Sequence, residues 1–410
     1  MTARPATSTV PAPATEPAQA AGAAAGSAPA PGSAPAGSPR LAALDGVRVL
    51  AALAVLCYHY MALESAWGEP AAGVFPAASR GAAYGWLGVE MFFLVSGFVI
   101  CMSAWGRTVG EFAVSRVSRL FPAYWVAVLF TGAVLTLWPE VRAVKLTDVV
   151  VNLSMLQAGV EVPHVDDVYW TLFVELKFYA LFALVVLRGV TYRNCVFFCA
   201  LWTLAAIVAP TADSGVLYFF AVPSYAPYFI AGTAFHLMRR FRPNAVLWAV
   251  VGVQFLLAQA YVRDRMITNL GRATAEQLPA WPAHLVITAG FLVMAGMALG
   301  AFDRIQWRWL RPAGALTYPL YLIHMLAGIT AIHHFRDRLP PVPLVLTVTT
   351  AMLAVAWLIH HLAERPLTPR LRKSLHRGIQ EIRRDTTPSG SAGGTPSGFA
   401  GSAPSSPAGV

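Results

Sequence analysis

Arg48 and His59 stand eleven positions apart in one apolar stretch, LDGVRVLAALAVLCYHY, residues 44–60. At roughly 100° per residue, that spacing is three turns plus about 20°. A helix therefore puts both on one face, about 16.5 Å apart along its axis. Asp45 falls about 40° to the other side of that face. A guanidinium binds phosphate or carboxylate, and an imidazole moves protons near neutral pH. Three more titratable side chains lie inside apolar stretches: Glu90 in GWLGVEMFFLVSGF, Glu175 in VYWTLFVELKFYAL and His324 in LTYPLYLIHM. Lys177, two residues past Glu175, does not share its face. In SRVSRLFPAYW, Arg116 and Arg119 are three apart on one face of a short helix before Pro122. Such a fork suits phosphate, whether of a soluble ligand or of a lipid headgroup.

The elements that must position these groups cross a membrane. Of the 410 residues, 57% are hydrophobic and only 12% charged, with a mean hydropathy of +0.56. Soluble domains carry about 25% charged residues. We read an all-α polytopic membrane protein with about ten transmembrane helices. The segments lie near 47–63, 85–105, 121–138, 168–187, 194–210, 216–238, 244–262, 283–302, 313–333 and 342–362. Pro223 and Pro227 break the sixth. Residues 109–120 and 143–157 are expected to lie at the membrane interface.

Residues 1–40 form an Ala/Pro-rich tail expected to be disordered, without the basic and apolar regions of a signal peptide. The membrane domain is 41–370, and 371–410 is a basic, then disordered, tail. Twenty of the thirty Lys and Arg fall on the side shared by the two termini and eight on the other. The bias predicts both termini in the cytoplasm and a multi-pass protein of the inner (plasma) membrane. It also accounts for the net charge of +10 without nucleic acid. The four cysteines, all in apolar segments, give neither a disulfide framework nor a metal site, and no metal is expected. By depth, His59, Glu90, Glu175 and His324 share the middle-to-outer membrane, where a buried polar site would form.

These motifs, in this order, resemble the acyltransferase 3 family of integral membrane acyltransferases. The resemblance rests on Arg48 and His59 in the first helix, GVEMFFLVSGF (88–98), Arg116-x-x-Arg119 with PAYW, WTLFVELKFY (170–179), TYPLYLIHM (317–325) and AERP (363–366), and covers about residues 41–370. Glu90 departs from the family's commoner aspartate and keeps its charge. The resemblance implies transfer of an acyl group, acetyl first among the candidates, from cytoplasmic acyl-CoA to a hydroxyl. The acceptor would be a carbohydrate or a secondary metabolite such as a macrolide, and no cofactor would be bound permanently. His59 would be general base or transient acyl carrier, with Glu175 or Glu90 orienting it. Arg48, Arg116 and Arg119 would hold the donor, and Trp170, Tyr318 and His324 the substrate.

The rise from Arg48 to His59 is close to the length of a pantetheine arm, so a thioester could reach His59 while its nucleotide stays at the cytoplasmic mouth. Glu364 reads as a structural cap or ion-pair partner. A transporter or flippase for a lipophilic or polyprenyl-linked metabolite would also put polar residues at mid-membrane. A membrane cytochrome would use His59 and His324 as haem ligands, but leaves the arginines and glutamates without a task.

Overall fold

The computed structural model describes residues 41–386, and every regular element among them is helical. The disorder expected for residues 1–40 and for the end of the chain lies outside the described residues. The framework helices are α1 (Ala42–Met61), α2 (Leu87–Ala104), α3 (Val109–Leu137), α4 (Trp170–Leu187), α5 (Tyr192–Val208), α6 (Gly215–Ala221), α7 (Ala226–Phe241), α8 (Ala245–Ala260), α9 (Val262–Leu270), α10 (Trp281–Ala298), α11 (Leu310–Ile323), α12 (Leu326–Phe335), α13 (Pro341–Ile359) and α14 (Arg365–Thr386). Among the described residues six helices are long and apolar enough to span a membrane, or up to nine when each bent pair counts as one span. Against the ten segments expected, α5 is the shortfall, with 17 residues.

Among the described residues three pairs of helices are bent sharply at a short break. The α6–α7 bend of 42° falls at Pro223 and Pro227, as expected. The α8–α9 bend of 45° falls at the end of the expected segment 244–262, whereas the α11–α12 bend of 70° interrupts the continuous helix expected over 313–333. The third break follows His324 directly, and side chains replace the helical bonds there. The Leu326 N–H donates to Asp166 Oδ2 at 3.0 Å, and the Tyr60 hydroxyl donates to the His324 carbonyl at 2.7 Å.

The segment 109–120 is not a separate interfacial helix. Thr108 and Glu111 form a capping box, and one 29-residue helix runs from there through Pro122. Its first half packs against α14. The basic residues after 370 continue as that same helix, joined to α13 through a π-turn at His360–Glu364.

Burial of apolar side chains gives no net preference for helix over lipid, so close backbone approach and polar contacts hold the bundle. α2 and α7 approach closely. Gly97 faces the Phe229 carbonyl and Gly232 the Leu94 carbonyl, each so close that a Cβ would overlap the oxygen. An aromatic cluster of Phe93, Phe178, Trp202 and Phe229 continues this core towards α4 and α5.

Candidate active site

The α1–α2, α1–α11 and α2–α7 contacts bring three polar clusters together inside the bundle. The first is the pair His59 and His324, 8% and 1% exposed. His59 Nδ1 and His324 Nε2 are 3.0 Å apart, and His324 Nδ1 is 2.8 Å from the Tyr321 carbonyl. A carbonyl only accepts, so His324 Nδ1 carries its proton and the Nε2 of a neutral ring accepts. His59 Nδ1 is then the donor, and His59 Nε2 keeps a free lone pair. The Val55 carbonyl, one turn back on α1, also faces the His59 ring. Nδ1 is the ring nitrogen nearer its own backbone, so this carbonyl favours the same tautomer. The assignment follows from the hydrogen-bond network. The rings meet directly, 5.0 Å between centroids, which leaves no room for a haem between them.

The setting of this pair is dense. Tyr60, wholly buried, ties α1 to the His324 carbonyl and lies against Gly328 of α12. Asp166, also wholly buried, takes the Val168 N–H on Oδ1 at 3.3 Å and the first N–H of α12 on Oδ2. Thr171 and Tyr321 share a hydrogen bond of 2.9 Å beside the His324 ring. The break in the span is thus built around His324 and fixes where its ring points.

The second cluster centres on Glu90, which is wholly buried. Arg265 of α9 donates from Nε to Glu90 Oε1 at 3.0 Å, and Arg265 is 5% exposed. Its guanidinium lies 4.4 Å over the Tyr225 ring and 5.6 Å from Trp86. Trp170 stands 5.1 Å from Tyr225. The two clusters touch. The Tyr58 ring is 4.9 Å from His59, and its hydroxyl donates to the Asn269 carbonyl of α9 at 2.6 Å. Tyr321 feels both Asp166 and Glu90.

The third cluster lies where α1 starts. Arg48 is 3.5 Å from Asp45 and within electrostatic reach of Arg119, Glu175 and Glu364. Glu175 Oε1 accepts from Ser96 at 2.6 Å, and Tyr179 interacts with Glu175 and both Arg116 and Arg119. The Tyr318 hydroxyl donates to the Leu120 carbonyl at 3.0 Å and senses Glu175 and Glu364. Glu364 Oε2 is 2.8 Å from His360 Nδ1 across the π-turn, so it does have an ion-pair partner when that histidine is protonated. Arg116 donates to Ser115 and stacks 6.0 Å over Phe112. Arg107, Arg116 and Arg372 crowd one another, with Arg116 Nε and Arg107 Nη1 buried and unpaired.

The structure therefore brings His59 and His324 together and separates the carboxylates from them. Neither Glu90 nor Glu175 is bonded to His59. Glu90 holds Arg265, Glu175 holds Ser96, and His324 occupies the place beside His59 Nδ1. Trp170 lies on the Glu90 side and Tyr318 on the Arg48 side. Sequence reasoning counted Arg265 as a loop charge and passed over Asp166 and Tyr60. Among the described residues no group of three or more His, Cys, Asp or Glu could hold a metal ion, and the four cysteines are free.

Apolar helices long enough to span a bilayer, packed around a buried histidine pair, define a helical, multi-pass membrane protein. Residues 41–361 match the family model described as an acyltransferase domain. The chain belongs to that family and is an acyl-transferring enzyme of the membrane. It is 34% identical over 106 residues to the exopolysaccharide production protein ExoZ of Rhizobium meliloti, a match covering 23% of this chain and 32% of that protein. It is 26% identical over 318 residues to the acyltransferase MdmB of Streptomyces mycarofaciens, covering 70% and 79%. The chain thus spans about a third of the length of ExoZ and about four fifths of MdmB. No solved structure matches it.

Proposed function

We propose that this protein is a membrane O-acyltransferase that moves an acyl group, acetyl in the simplest case, from cytoplasmic acyl-CoA to a hydroxyl of a carbohydrate or secondary metabolite. The termini are cytoplasmic in this reading, and the membrane is the inner (plasma) membrane. The observation that carries it is the hydrogen-bonded run Tyr321 carbonyl–His324–His59, which leaves His59 Nε2 as base. That nitrogen takes the proton of the acceptor hydroxyl as its oxygen attacks the thioester carbonyl. The carbon–sulfur bond then breaks, and the imidazolium returns the proton to the departing thiolate, giving CoA thiol and ester. His324 Nε2 accepts from Nδ1–H throughout and steadies the cation. Transient acylation of His59 is the variant mechanism.

The donor's phosphates would be held by Arg116 and Arg119 at the arginine-rich end, with Arg48 on the path. From there the thioester arm spans about 16.5 Å along α1 to His59. Glu175 sits on that path, among the cations. The name of one relative, an exopolysaccharide production protein, supports a carbohydrate acceptor, and that of the other, an acyltransferase, supports the reaction class.

The deciding experiment uses purified protein in lipid nanodiscs, labelled acetyl-CoA, and an envelope and metabolite extract from a strain deleted for this gene, which accumulates the unacylated acceptor. Wild type should form labelled product, and His59→Gln should lose about 100- to 10,000-fold in rate. A folded His59→Gln protein with full activity refutes the mechanism. The three bent spans are also how transporters build binding sites. Movement of unmodified acceptor across liposomes without acyl-CoA, and no product with it, would favour that second reading.

A further inference from the structure

We propose that Glu90, Arg265 and Trp86 form a subsite that grips the acceptor, and that it is built for a polyhydroxylated, pyranose-like ring. The inference rests on the acyltransferase reading above and assigns Glu90 to recognition of the acceptor instead of to the proton transfer.

The three side chains are 0%, 5% and 2% exposed. Their one mutual bond uses a single carboxylate oxygen and a single guanidinium N–H. Glu90 Oε2, Arg265 Nη2 and Trp86 Nε1 are each buried without a protein partner. Buried polar atoms are nearly always bonded. Three orphans on three touching residues, an acceptor and two donors, are the complement of neighbouring hydroxyls, each of which donates and accepts.

The walls fit the same ligand. Tyr225 lies against the guanidinium, and Trp170 and Phe93 stand 5.1 and 5.3 Å from Tyr225 between ring centroids. Such faces pack on the C–H face of a sugar, while the polar trio reads its hydroxyls. The position fits as well. Tyr58, beside His59, bonds to α9, and Tyr321 is within electrostatic reach of Glu90 and 5.6 Å from the His324 ring between centroids. A ring held by Glu90 and Arg265 would therefore present a further hydroxyl towards His59.

The test is direct binding of methyl β-D-glucopyranoside to the protein in nanodiscs, followed by saturation-transfer NMR with acyl-CoA absent. Wild type should transfer saturation to the ring protons. Glu90→Gln, Arg265→Lys and Trp86→Phe should each weaken that transfer, with binding falling roughly tenfold. With the deletion-strain extract as acceptor, the same variants should raise the apparent KM for extract about as much and leave that for acetyl-CoA unchanged. Trp86→Phe keeps an aromatic ring and the Glu90–Arg265 pair while removing the indole N–H, so it carries the test where the charge variants fail to fold. No saturation transfer in wild type, or folded variants that bind the glycoside as wild type does, overturns the subsite. An acetyl-CoA KM that rises with them, or a fall in kcat alone, overturns it in favour of a structural or proton-transfer role. Glycoside binding without acyl transfer by the wild type would leave the subsite standing and refute the proposed reaction.

Discussion

Replacing His324 by leucine separates the proposed proton relay from general packing. Leucine fills much of the ring's volume and offers no acceptor. In the protein His59 Nδ1–H donates to His324 Nε2 at 3.0 Å. In the transition state that donor belongs to an imidazolium, so the lost bond is a charge-assisted one, worth about 1.5–3 kcal/mol. At 1.36 kcal/mol per factor of ten, kcat should fall about 10- to 150-fold. His324→Gln can present its amide oxygen to the same N–H and should lose no more than a few-fold. The main-chain bond from Tyr60 to residue 324 survives both changes. Release of CoA thiol by protein in nanodiscs, in the presence of the deletion-strain extract, gives kcat, and thermal melting in detergent checks the fold. Equal losses in the leucine and glutamine variants, both folded, would refute the acceptor role. So would a leucine variant with unchanged kcat.

Three further outcomes can be measured. Arg265→Met strands a buried carboxylate and should destabilise by about 3–5 kcal/mol, whereas adding Glu90→Leu should restore much of that; denaturant melts of both variants decide it. Gly232→Val puts side-chain carbons onto the Leu94 carbonyl, so α7 must move off α2 by a cost of at least about 1–3 kcal/mol, seen as loss of the monodisperse peak in size-exclusion chromatography. Burial lowers the affinity of His164 for a proton, with Arg142 adding and Asp167 opposing. Its folded pKa lies below its unfolded one, so its contribution to stability is present above about pH 6.5 and is lost as pH falls below that. The melting temperature of wild type should therefore drop more steeply than that of His164→Gln between pH 7 and 5.

The helices were legible because apolar length and loop charge announce a span without help from its neighbours. His59 and His324 were legible for the same reason, as each is a titratable residue in a run that excludes them. Their direct bond links positions 265 apart in the chain, and depth alone could not show it. The carboxylates misled because depth says nothing of azimuth. Glu90 and Glu175 share a level with His59 but face Arg265 and Ser96. Arg265 sits in α9, a mostly polar helix that reads as an outer loop. A usable signal existed: a glutamate inside an apolar helix requires a cation at its own depth. The break after His324 had only Pro319 as a local sign. Its causes, Asp166 and Tyr60, lie in other helices or loops and become visible only when the chain is folded.

The missing carboxylate beside His59 has a consequence for how the protein should answer to ionic strength. A pair of neutral imidazoles offers no charge to a resting ligand and is sealed from the ion atmosphere. Arg107, Arg116 and Arg372 crowd the opposite end, within reach of solution, where about 0.15 M salt damps charges beyond roughly 8 Å. Salt should therefore weaken capture of an anionic donor while leaving the rate of the bound complex alone. The two ends of α1 would behave as parts of different media, one aqueous and screened, the other dry and indifferent to the buffer.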